Sequence, residues 1–399
     1  MTNILRMISV QQAQQLILEN STILAEKEMP IHLALRMVLS RDVIAPINLP
    51  PFNQSAMDGY AIKFKDRKSK LKVVGEVAAG AVLNSSIGNE QAIRIFTGAA
   101  VPNDFDTVVM QEKVIIDNDI ISINDDLLKL GANVRKIGDQ TKINTVVLNK
   151  GFELNAASIG FLSSLGIANV FVYNKPIISI VVTGNELVKP GEVLPDGQIY
   201  ESNSNTLIAA LQSISLSAFS INHCIDNENL IYDTILSQLK NANVLLLTGG
   251  ISVGDYDFVG SALKKIGVEN IFYKIKQKPG KPLYFGKHGN TLIFALPGNP
   301  ASVLTCFYEY VYIALKKMQG NTDLYLEKIN LPSLNTFSKK SGLSNFLKAQ
   351  MKDGKVNILE GQESYILQSF AFANALVYLP EEKETVAIDE MIEVHKLPF

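Results

Sequence analysis

Four acidic residues of this 399-residue chain follow short apolar runs, at points where buried strands would end. They are Glu186, Asp226, Asp255 and Asp257. In an open α/β sheet, ligands bind outside the carboxyl ends of the strands, so these carboxylates would share one site. Hard cations such as Mg²⁺ prefer oxygen ligands of this kind. The pattern therefore predicts a magnesium site, although Asp257 alone could equally cap the helix that follows it.

Threonine–glycine sequences end two of the same apolar runs, and polar residues continue the loops. The residues concerned are Thr183, Gly184, Thr248, Gly249, Gly250 and Ser252. Two adjacent glycines allow backbone amides to approach a ligand, because no Cβ stands in the way. The loops therefore indicate contact between backbone amides and a bound ligand.

Lysines alternate in the segment IFYKIKQKPGK. Lys274, Lys276 and Lys278 are two residues apart, so a continuous strand would place their ammonium groups on one face. Such a row could simply protect a sheet edge from pairing with another strand. It could instead be neutralised by a bound anion, and Lys281, which follows a Pro-Gly turn, would add to that site.

The segment LPGNP leads directly into an apolar helical pattern. Asn299 suits the N-cap and Pro300 the first helical position, as in many ordinary helices. Beside a glycine loop, the free amides of this helix start, together with Pro297 and Gly298, could instead bind an anion. The sequence contains neither a P-loop nor a dinucleotide-binding motif. Glycine loops, lysines and carboxylates together indicate an anionic or phosphorylated ligand with a divalent metal.

Composition restricts the class of protein further. A net charge of −2 and a hydrophobic content of 47% describe a globular chain without a nucleic-acid footprint. Cys224 and Cys306 stand far apart, which argues against a disulfide framework and against structural zinc. The N-terminus lacks a signal-peptide pattern, and no apolar run reaches the roughly 18 residues of a membrane span. We therefore expect a cytoplasmic protein without membrane or nucleic-acid partners.

The elements that must position these residues change in character along the chain. Ser9 begins a capping-box pattern that predicts a first helix, and residues 31–39 predict a second. A β pattern follows over about residues 71–140, then alternating strands and helices from about Pro176, and a β pattern again from Leu324. The fold class is therefore multidomain α/β plus β.

Two polar positions before the α/β region are further candidates for chemistry. Asp58 precedes Gly59, a pair that by itself favours a plain hairpin turn. Thr97 precedes Gly98 after an apolar run, which repeats the strand–Thr–Gly arrangement of the α/β region.

Six segments together resemble the molybdopterin molybdenumtransferase family, which is related to the C-terminal domain of gephyrin. They occur in the order of that family between Leu49 and Tyr310 and read PPFNQSAMDGYA, FTGAAVPNDFDTVVMQE, VVTGNELVKPG with QIYESNSNTL, LLLTGGISVGDYDFV, KQKPGKPLYFG and FALPGNPASV. One such segment would be modest evidence, whereas six in order are a specific signal.

The resemblance implies four domains: an elongated discontinuous N-terminal domain, an inserted β domain, a three-layer α/β molybdopterin-binding domain and a C-terminal β-barrel-like domain. The corresponding ranges are 1–53 with 142–175, 54–141, 176–323 and 324–399. It also implies a homodimer whose cleft combines the α/β domain of one subunit with the inserted domain of the other. The implied reaction takes adenylylated molybdopterin and molybdate, requires Mg²⁺ and releases AMP. Molybdopterin adenylyltransferase and apo-molybdoenzymes are implied as protein partners.

Matched motif by motif, the resemblance assigns roles to residues of this chain. The implied catalytic residues are Asp58, Thr97, Glu186, Asp226, Asp257, Lys274 and Lys278. Glu186, Asp226 and Asp257 would hold the metal, whereas Asp58 and Thr97 would reach across the dimer. The implied ligand-binding residues are Thr183, Gly184, Asn203, Thr248, Gly249, Gly250, Ser252, Lys281, Pro297, Gly298, Asn299 and Pro300.

Three positions depart from the family pattern. Gln140 stands where the family has Asp, with Asp139 beside it as a potential substitute. Asn185 replaces the frequent Asp of the TGDEL segment, and Asn227 leaves Asp226 as a single acid. The departures leave the fold expectation intact and bear on metal affinity and rate.

Two other functions share parts of this sequence. The sister enzyme that adenylylates molybdopterin is essentially the α/β domain alone, so the long β regions on both sides argue against it. A non-catalytic scaffold such as gephyrin could keep the fold without the reaction. The acids and lysines together exceed what a scaffold requires, although a scaffold could carry them passively.

Overall fold

The structure is a computed structural model that describes residues 7–81, 87–250 and 258–399. The chain divides into two compact units. The first unit contains Met1–Lys27, Arg36–Ser40 and Val172–Phe399, and the second contains Glu28–Leu35 and Arg41–Phe171. Two of the crossings between units lie within short strands, Glu26–Pro30 and Asn169–Tyr173. The finer division into five segments stays a prediction.

A six-stranded sheet forms the centre of the first unit. Its strands are β1 (Ile178–Thr183), β2 (Ala218–Cys224), β3 (Val244–Thr248), β4 (Glu269–Lys274), β5 (Pro282–His288) and β6 (Thr291–Leu296). Their order is β2-β1-β3-β6-β5-β4. The first four run parallel, whereas β5 pairs antiparallel with both of its neighbours. Every residue of β1, β3 and β6 is buried, which explains why these strands read as continuous apolar runs.

Helices cover both faces of this sheet. They are Val10–Asn20, Asn203–Ser213, Glu228–Leu239, Phe258–Ile266, Pro300–Cys306 and Tyr312–Met318, with a π-helical turn over Phe307–Val311. Leu246 of β3 packs in the same core as Leu207, whereas its neighbour Leu245 packs with Ile231 on the other side. Because successive strand residues point to opposite faces, this alternation defines three layers. Two short strands, Leu187–Val188 and Ile199–Tyr200, pair in parallel with each other and lie in sequence between β1 and the helix Asn203–Ser213.

The C-terminal part of the first unit is a second β structure. Its strands are Gln277–Lys278, Lys328–Pro332, Ser344–Lys352, Lys355–Ile358, Ala375–Leu379 and Met391–Lys396, with a short pair Phe337–Ser338 and Thr385–Val386 and a 3₁₀ helix Gln368–Phe372. Lys355–Ile358 pairs with Ser344–Lys352, and a bridge from Ser333 to Val356 returns the sheet on itself. The expected barrel-like C-terminal domain is therefore confirmed.

The second unit is built on a separate six-stranded sheet. Its strands, in spatial order, are Thr107–Met110, Gly59–Ile62, Gln91–Ile95, Leu71–Val77, Ile120–Ile123 and Val114–Asp117. The shorter elements are Gln54–Ser55 with Val134–Arg135, Val43–Ile44 with Val146–Leu148, the helix Ala156–Ser164, and the 3₁₀ turns Ile31–Leu33, Phe64–Asp66 and Gln111–Lys113. Ala61, Ile93 and Val108 meet in its core, so the alternating apolar pattern of this region is explained by one-sided burial.

The helix predicted over residues 31–39 is wrong. Only Ile31–Leu33 forms a 3₁₀ turn. Arg36 has a positive φ of 62°, in the left-handed region, and an α-helix cannot continue through such a residue. The first helix, in contrast, begins with the predicted capping box of Ser9 and Gln12.

The continuous lysine strand is also wrong. β4 ends at Lys274, and two residues later Gln277–Lys278 pairs with Ser344 and Asn345 of the C-terminal sheet. Lys274 and Lys278 therefore belong to different sheets. Lys276 between them forms an ion pair with Glu381, with 3.1 Å between Nζ and Oε2.

An ionic cluster around the buried side chains of His395 and Glu309 joins the last α/β helical segment to the C-terminal sheet. His395 is 2% exposed, and its two ring nitrogens lie 2.8 Å from carboxylate oxygens of Glu309 and Glu393. Burial by itself would lower the pKa of His395, but the two carboxylates outweigh it and raise the pKa to about 9. The hydrogen bond from His395, followed by the charge of Lys328, lowers the pKa of Glu393 to about 2. At neutral pH the imidazolium therefore donates to both carboxylates.

We expect this cluster to make the stability of the first unit depend on alkaline pH. Because the pKa of His395 is raised on folding, its contribution is complete below the unfolded value of about 6.5 and disappears as the pH rises through about 9. The predicted loss is about 3 kcal/mol of unfolding free energy, measurable by urea denaturation at several pH values. His395→Gln should remove most of this pH dependence, whereas the control His288→Gln should retain it. An identical alkaline loss in His395→Gln would contradict the prediction.

Candidate active site

The polar loops at the carboxyl edge of the central sheet come together as the sequence predicted. Thr248 pairs with Val182 of β1 and with Leu296 of β6, so the three strands end side by side. Asn203 begins the helix Asn203–Ser213 and joins two of the loops. Its Nδ2 donates to Thr248 Oγ1 and to the Gly298 carbonyl, each at 2.8 Å.

The glycines after Thr248 have a packing role that sequence reasoning missed. Gly249 has φ of 87°, and a Cβ there would lie 2.1 Å from the Thr183 carbonyl oxygen. Gly250 has φ of 61°, and its Cβ would lie 2.8 Å from Thr183 Oγ1. The two loops therefore cross closely, and only glycine combines this space with the left-handed conformation.

Three buried polar atoms at this edge have no hydrogen-bond partner within residues 7–81, 87–250 and 258–399. They are Thr183 Oγ1, Asn203 Oδ1 and Asp226 Oδ1. Buried polar atoms are normally paired, so such atoms at a loop cluster are suited to a bound ligand or ion. A cavity of about 300 Å³ opens at the ends of β1 and β2, with Gly184, Glu201 and Ile225 in its lining.

The predicted metal ligands are placed only in part. Asp226 and Asn185 bond reciprocally: Asp226 N–H donates to Asn185 Oδ1 at 2.9 Å, and Asn185 N–H donates to Asp226 Oδ2 at 3.2 Å. The neighbouring Glu186 is exposed. The described part of the chain contains no group of three or more His, Cys, Asp or Glu residues that could hold a metal. Ser252, Asp255 and Asp257 lie outside the described residues, so the three-carboxylate site stays a prediction.

The lysine turn packs against the helix that follows β6. Lys278 and Lys281 are both exposed and flank Pro279 and Gly280. A Cβ on Gly280, whose φ is 81°, would lie 2.5 Å from Cys306 Sγ. Lys278 and Lys281 therefore share one turn beside the helix Pro300–Cys306, while Lys274 lies at the end of β4.

The start of that helix is partly occupied by the protein itself. Pro300 is at the first helical position and Asn299 at the N-cap position, as predicted. However, Asn299 Nδ2 donates to Ser364 Oγ at 2.8 Å, and the Ala301 amide donates to the Ser364 carbonyl at 3.2 Å. Among the described residues the Asn299 side chain makes no capping bond to its own helix, because its amide is bound to Ser364. Ser364 was not anticipated because it is more than 60 residues away in sequence.

Asp58 and Thr97 meet in the second unit. Asp58 Oδ1 accepts hydrogen bonds from the Thr97 amide and from Thr97 Oγ1, each at 2.7 Å. These bonds, with a smaller contribution from the charge of Arg94, lower the pKa of Asp58. The plain-hairpin interpretation is not supported, since Gln54–Ser55 and Gly59–Ile62 pair with different strands. The pair presents a charged, exposed carboxylate held by two donors.

The departures near residue 140 lie in a tight turn of the same unit. The Asp139 carboxylate accepts the Lys136 amide at 2.6 Å, and the Gln140 amide donates to the Leu49 carbonyl at 2.9 Å. Asp139 therefore closes its own turn through one carboxylate oxygen, and its substitution for the acid missing at Gln140 stays a prediction.

Comparison with known proteins gives the class of this fold and site. Residues 179–317, which include the central sheet, match the family described as "Probable molybdopterin binding domain". Residues 8–166 match the MoeA N-terminal region (domain I and II), and residues 330–397 match the MoeA C-terminal region (domain IV). The strand-end site thus lies on a domain of the molybdopterin-binding class, inside a larger chain with matching flanks.

Curated relatives identify the family. The molybdopterin molybdenumtransferase of Haemophilus influenzae is 32% identical, over 98% of this chain and 99% of that protein. The molybdopterin molybdenumtransferase of Staphylococcus aureus is 29% identical, over 94% and 91%. A crystal structure of a molybdopterin biosynthesis MoeA protein from Pyrococcus horikoshii has a TM-score of 0.83 at 27% identity, covering 98% of this chain and all of that one. The chain belongs to the molybdopterin molybdenumtransferase family, whose members are enzymes of molybdenum cofactor biosynthesis.

None of the helices within the described ranges is long and apolar enough to cross a membrane.

We expect Asn203 to be the link between the strand-end loops. Asn203→Ala removes both hydrogen bonds to Thr248 and Gly298, which should lower the unfolding free energy by about 1–3 kcal/mol and loosen both loops. Urea denaturation and hydrogen exchange of the Thr248 and Gly298 region would measure this. Asn205→Ala, an exposed position on the same helix, is the control. Equal protection of the loops in both variants would show that Asn203 is dispensable for their position.

Proposed function

We propose that this protein transfers molybdenum from molybdate to adenylylated molybdopterin, with cleavage of the phosphoanhydride and release of AMP. The observation that carries the proposal is the length of the similarity to molybdopterin molybdenumtransferases, which covers 98% of this chain. It includes the second unit and the C-terminal barrel as well as the α/β domain. This argues against the adenylyltransferase alternative, for which an α/β domain would be enough.

The strand-end loops suit the pterin phosphate part of the substrate. Thr183 Oγ1 and Asn203 Oδ1 are buried polar atoms without a partner in the described chain, and they adjoin the glycine loop. Backbone amides and hydroxyls fixed in this way stabilise negative charge without reorganising as it develops. Thr183, Gly184, Thr248, Gly249 and Gly250 would thus orient the phosphate, with Pro297, Gly298, Asn299 and Pro300 forming the adjoining wall.

The lysines suit the oxyanion. Lys278 and Lys281 lie exposed on one turn, and Lys274 lies at the end of the adjacent edge strand. Two ammonium groups on the same short turn repel each other, and a doubly charged tetrahedral anion would relieve that repulsion. We assign molybdate, or the phosphate that it approaches, to these lysines.

Mg²⁺ would be held by Glu186, Asp226 and Asp257. Their oxygens are the hard donors that this ion prefers, and Asp226 Oδ1, which has no hydrogen-bond partner among the described residues, is an open position for it. When bound, the ion supplies positive charge that stabilises the phosphoanhydride as it is cleaved. Asp226 is kept in place by its reciprocal hydrogen bonds with Asn185. Asn185, which stands where the family frequently has Asp, would therefore be a positioning residue.

Asp58 and Thr97 would complete the site from a second subunit of a homodimer. The bonds from Thr97 keep the Asp58 carboxylate ionised and fixed, as a group that orients a substrate or an attacking water should be. Molybdopterin adenylyltransferase as supplier, apo-molybdoenzymes as recipients and a cytoplasmic location complete the proposal.

Reconstitution would test the reaction. Purified protein, adenylylated molybdopterin, Mg²⁺ and molybdate should give molybdate-dependent AMP release and activate an apo-molybdoenzyme. Lys278→Ala should lower AMP release by about tenfold or more, as expected for loss of a charge contact to the reacting anion. Lys276→Ala is the matched control, since its ammonium pairs with Glu381 and should leave the rate within about twofold. Tight pterin binding without AMP release would instead identify a scaffold, and ATP-dependent adenylylation the sister activity.

Asp58→Asn should abolish most turnover while preserving the fold of the second unit, because an amide oxygen can still accept both Thr97 bonds. Asp106→Asn is the control, since Asp106 also accepts an amide and a threonine hydroxyl in the same unit. If the site is shared across a dimer, mixing and reassociating Asp58→Asn and Lys278→Ala subunits should restore about a quarter of the wild-type activity, from heterodimers with one intact site. An inactive mixture would contradict the shared site.

A further inference from the structure

The turn that carries Lys278 and Lys281 is built around a side chain to which the family resemblance gives no role. Gln277 immediately precedes Lys278, and its side chain is fully buried, with 0% exposure. Its Nε2 donates to the carbonyl oxygens of Pro279 at 3.0 Å and of Gly280 at 3.1 Å. The two N–H groups of this one amide therefore bind consecutive carbonyls of the turn. They do so from the buried side of the turn.

The other end of the Gln277 amide is fixed by Tyr310. The Tyr310 hydroxyl donates to Gln277 Oε1, and Tyr310 is also 0% exposed, in the π-helical turn after helix Pro300–Cys306. Burial raises the pKa of Tyr310 well above its usual range, so the hydroxyl keeps its proton and acts as the donor. The orientation of the Gln277 amide is thereby defined, since the opposite orientation would place its oxygen against two carbonyls.

Backbone hydrogen bonds also close this turn. The Ile275 amide donates to the Lys281 carbonyl at 3.0 Å, and the Gln277 amide donates to the Ile275 carbonyl at 2.8 Å. Cys306 Sγ lies 3.7 Å from Gln277 Nε2 and 3.8 Å from the Gly280 carbonyl oxygen, which seats the turn on the helix. The segment between Ile275 and Lys281 is thus held on both sides, and Lys278 and Lys281 are exposed on this fixed backbone.

A buried glutamine is an unusual means of shaping an exposed turn. Burying an amide costs free energy unless each of its groups is paired, and here both donors and the acceptor are paired. An apolar side chain at position 277 would stabilise the local core as well. It could not bind two adjacent carbonyls, however, and so would not determine the path of the turn. What Gln277 contributes beyond an apolar residue is therefore the backbone position of residues 278–281.

We propose that Gln277, oriented by Tyr310, is a positioning residue that fixes the Lys278–Lys281 turn for oxyanion binding. The inference rests on the proposed function, because it takes the two lysines to be the molybdate or phosphate contacts. A turn that is fixed before binding holds two repelling ammonium groups at a set separation, so the ligand does not bear the cost of ordering them. Gln277 itself touches no substrate and acts only through the turn.

The decisive measurement is the molybdate dependence of AMP release, together with equilibrium dialysis of molybdate against the purified full chain. Gln277→Leu should raise the half-saturating molybdate concentration and the dissociation constant by about tenfold, while AMP release at saturating molybdate stays within about threefold. Tyr310→Phe removes only the hydroxyl and should give a smaller shift in the same direction. Gln319→Leu is the matched control, since Gln319 is a buried glutamine whose Nε2 donates to the Leu315 carbonyl within its own helical segment.

A double-mutant cycle separates positioning from general loss of stability. If Gln277 acts through the lysines, adding Gln277→Leu to Lys278→Ala should weaken molybdate binding by much less than the tenfold seen alone. Three results would overturn the positioning role and leave the proposed function standing. The first is an equal loss of molybdate binding from Gln277→Leu in the wild-type and Lys278→Ala backgrounds, and the second is an equal loss from Gln277→Leu and Gln319→Leu. The third is normal molybdate binding by Gln277→Leu when Lys278→Ala is impaired. Normal molybdate use by Lys278→Ala would overturn the oxyanion site of the proposed function, and the inference with it.

Discussion

Burial of the central strands on both faces is the constraint on which the rest of the first unit depends. Every residue of β3 is inaccessible to solvent, and its two neighbours, β1 and β6, are equally buried. Within such a layer an unpaired polar group would cost about 2–7 kcal/mol, a large fraction of the roughly 5–15 kcal/mol that stabilises a domain. Chemistry is therefore confined to the loops at the strand ends. The Thr-Gly loops, Asn203 and Asp226 all lie at the same edge for this reason.

Close packing at that edge explains why the loops keep a defined shape. The Thr183 carbonyl occupies the space that a side chain on Gly249 would need, and Asn203 ties Thr248 to Gly298. The glycines act first as packing residues and only then as amides available to a ligand. Thr183 Oγ1, Asn203 Oδ1 and Asp226 Oδ1, which have no partner in the part of the chain that the structure describes, are thus held by a framework that is itself well bonded.

The path of the chain between the two sheets of the first unit places the lysines. After β4 the chain leaves the α/β sheet, forms two residues of pairing with the barrel strand Ser344–Lys352, turns at Pro279 and Gly280, and re-enters as β5. The contact between the α/β helices and the barrel also contains the buried pair Glu309 and His395, with the partly exposed Glu393 on the other side of the imidazole. The C-terminal barrel therefore helps to position the lysine turn, since one of its strands pairs with the segment that carries Lys278.

The sequence by itself determined the fold class, the strands and helices of the α/β region and the family, because continuous apolar runs, helix caps and six ordered motifs are local properties of the chain. It also predicted that Thr183, Asp226 and Thr248 belong together, since parallel strands end at one edge, whereas Asn203 was named only through the family resemblance. It failed where distant segments decide the outcome. The alternation of Lys274, Lys276 and Lys278 predicted one strand, but pairing with Ser344 and the ion pair with Glu381 divide it. The side chain of Asn299 binds Ser364, and Gln277 meets Tyr310, through contacts that no periodicity encodes. Tertiary structure alone decided these, because hydrogen bonds between segments tens of residues apart depend on the packed positions of both partners and leave no signature in the spacing of either.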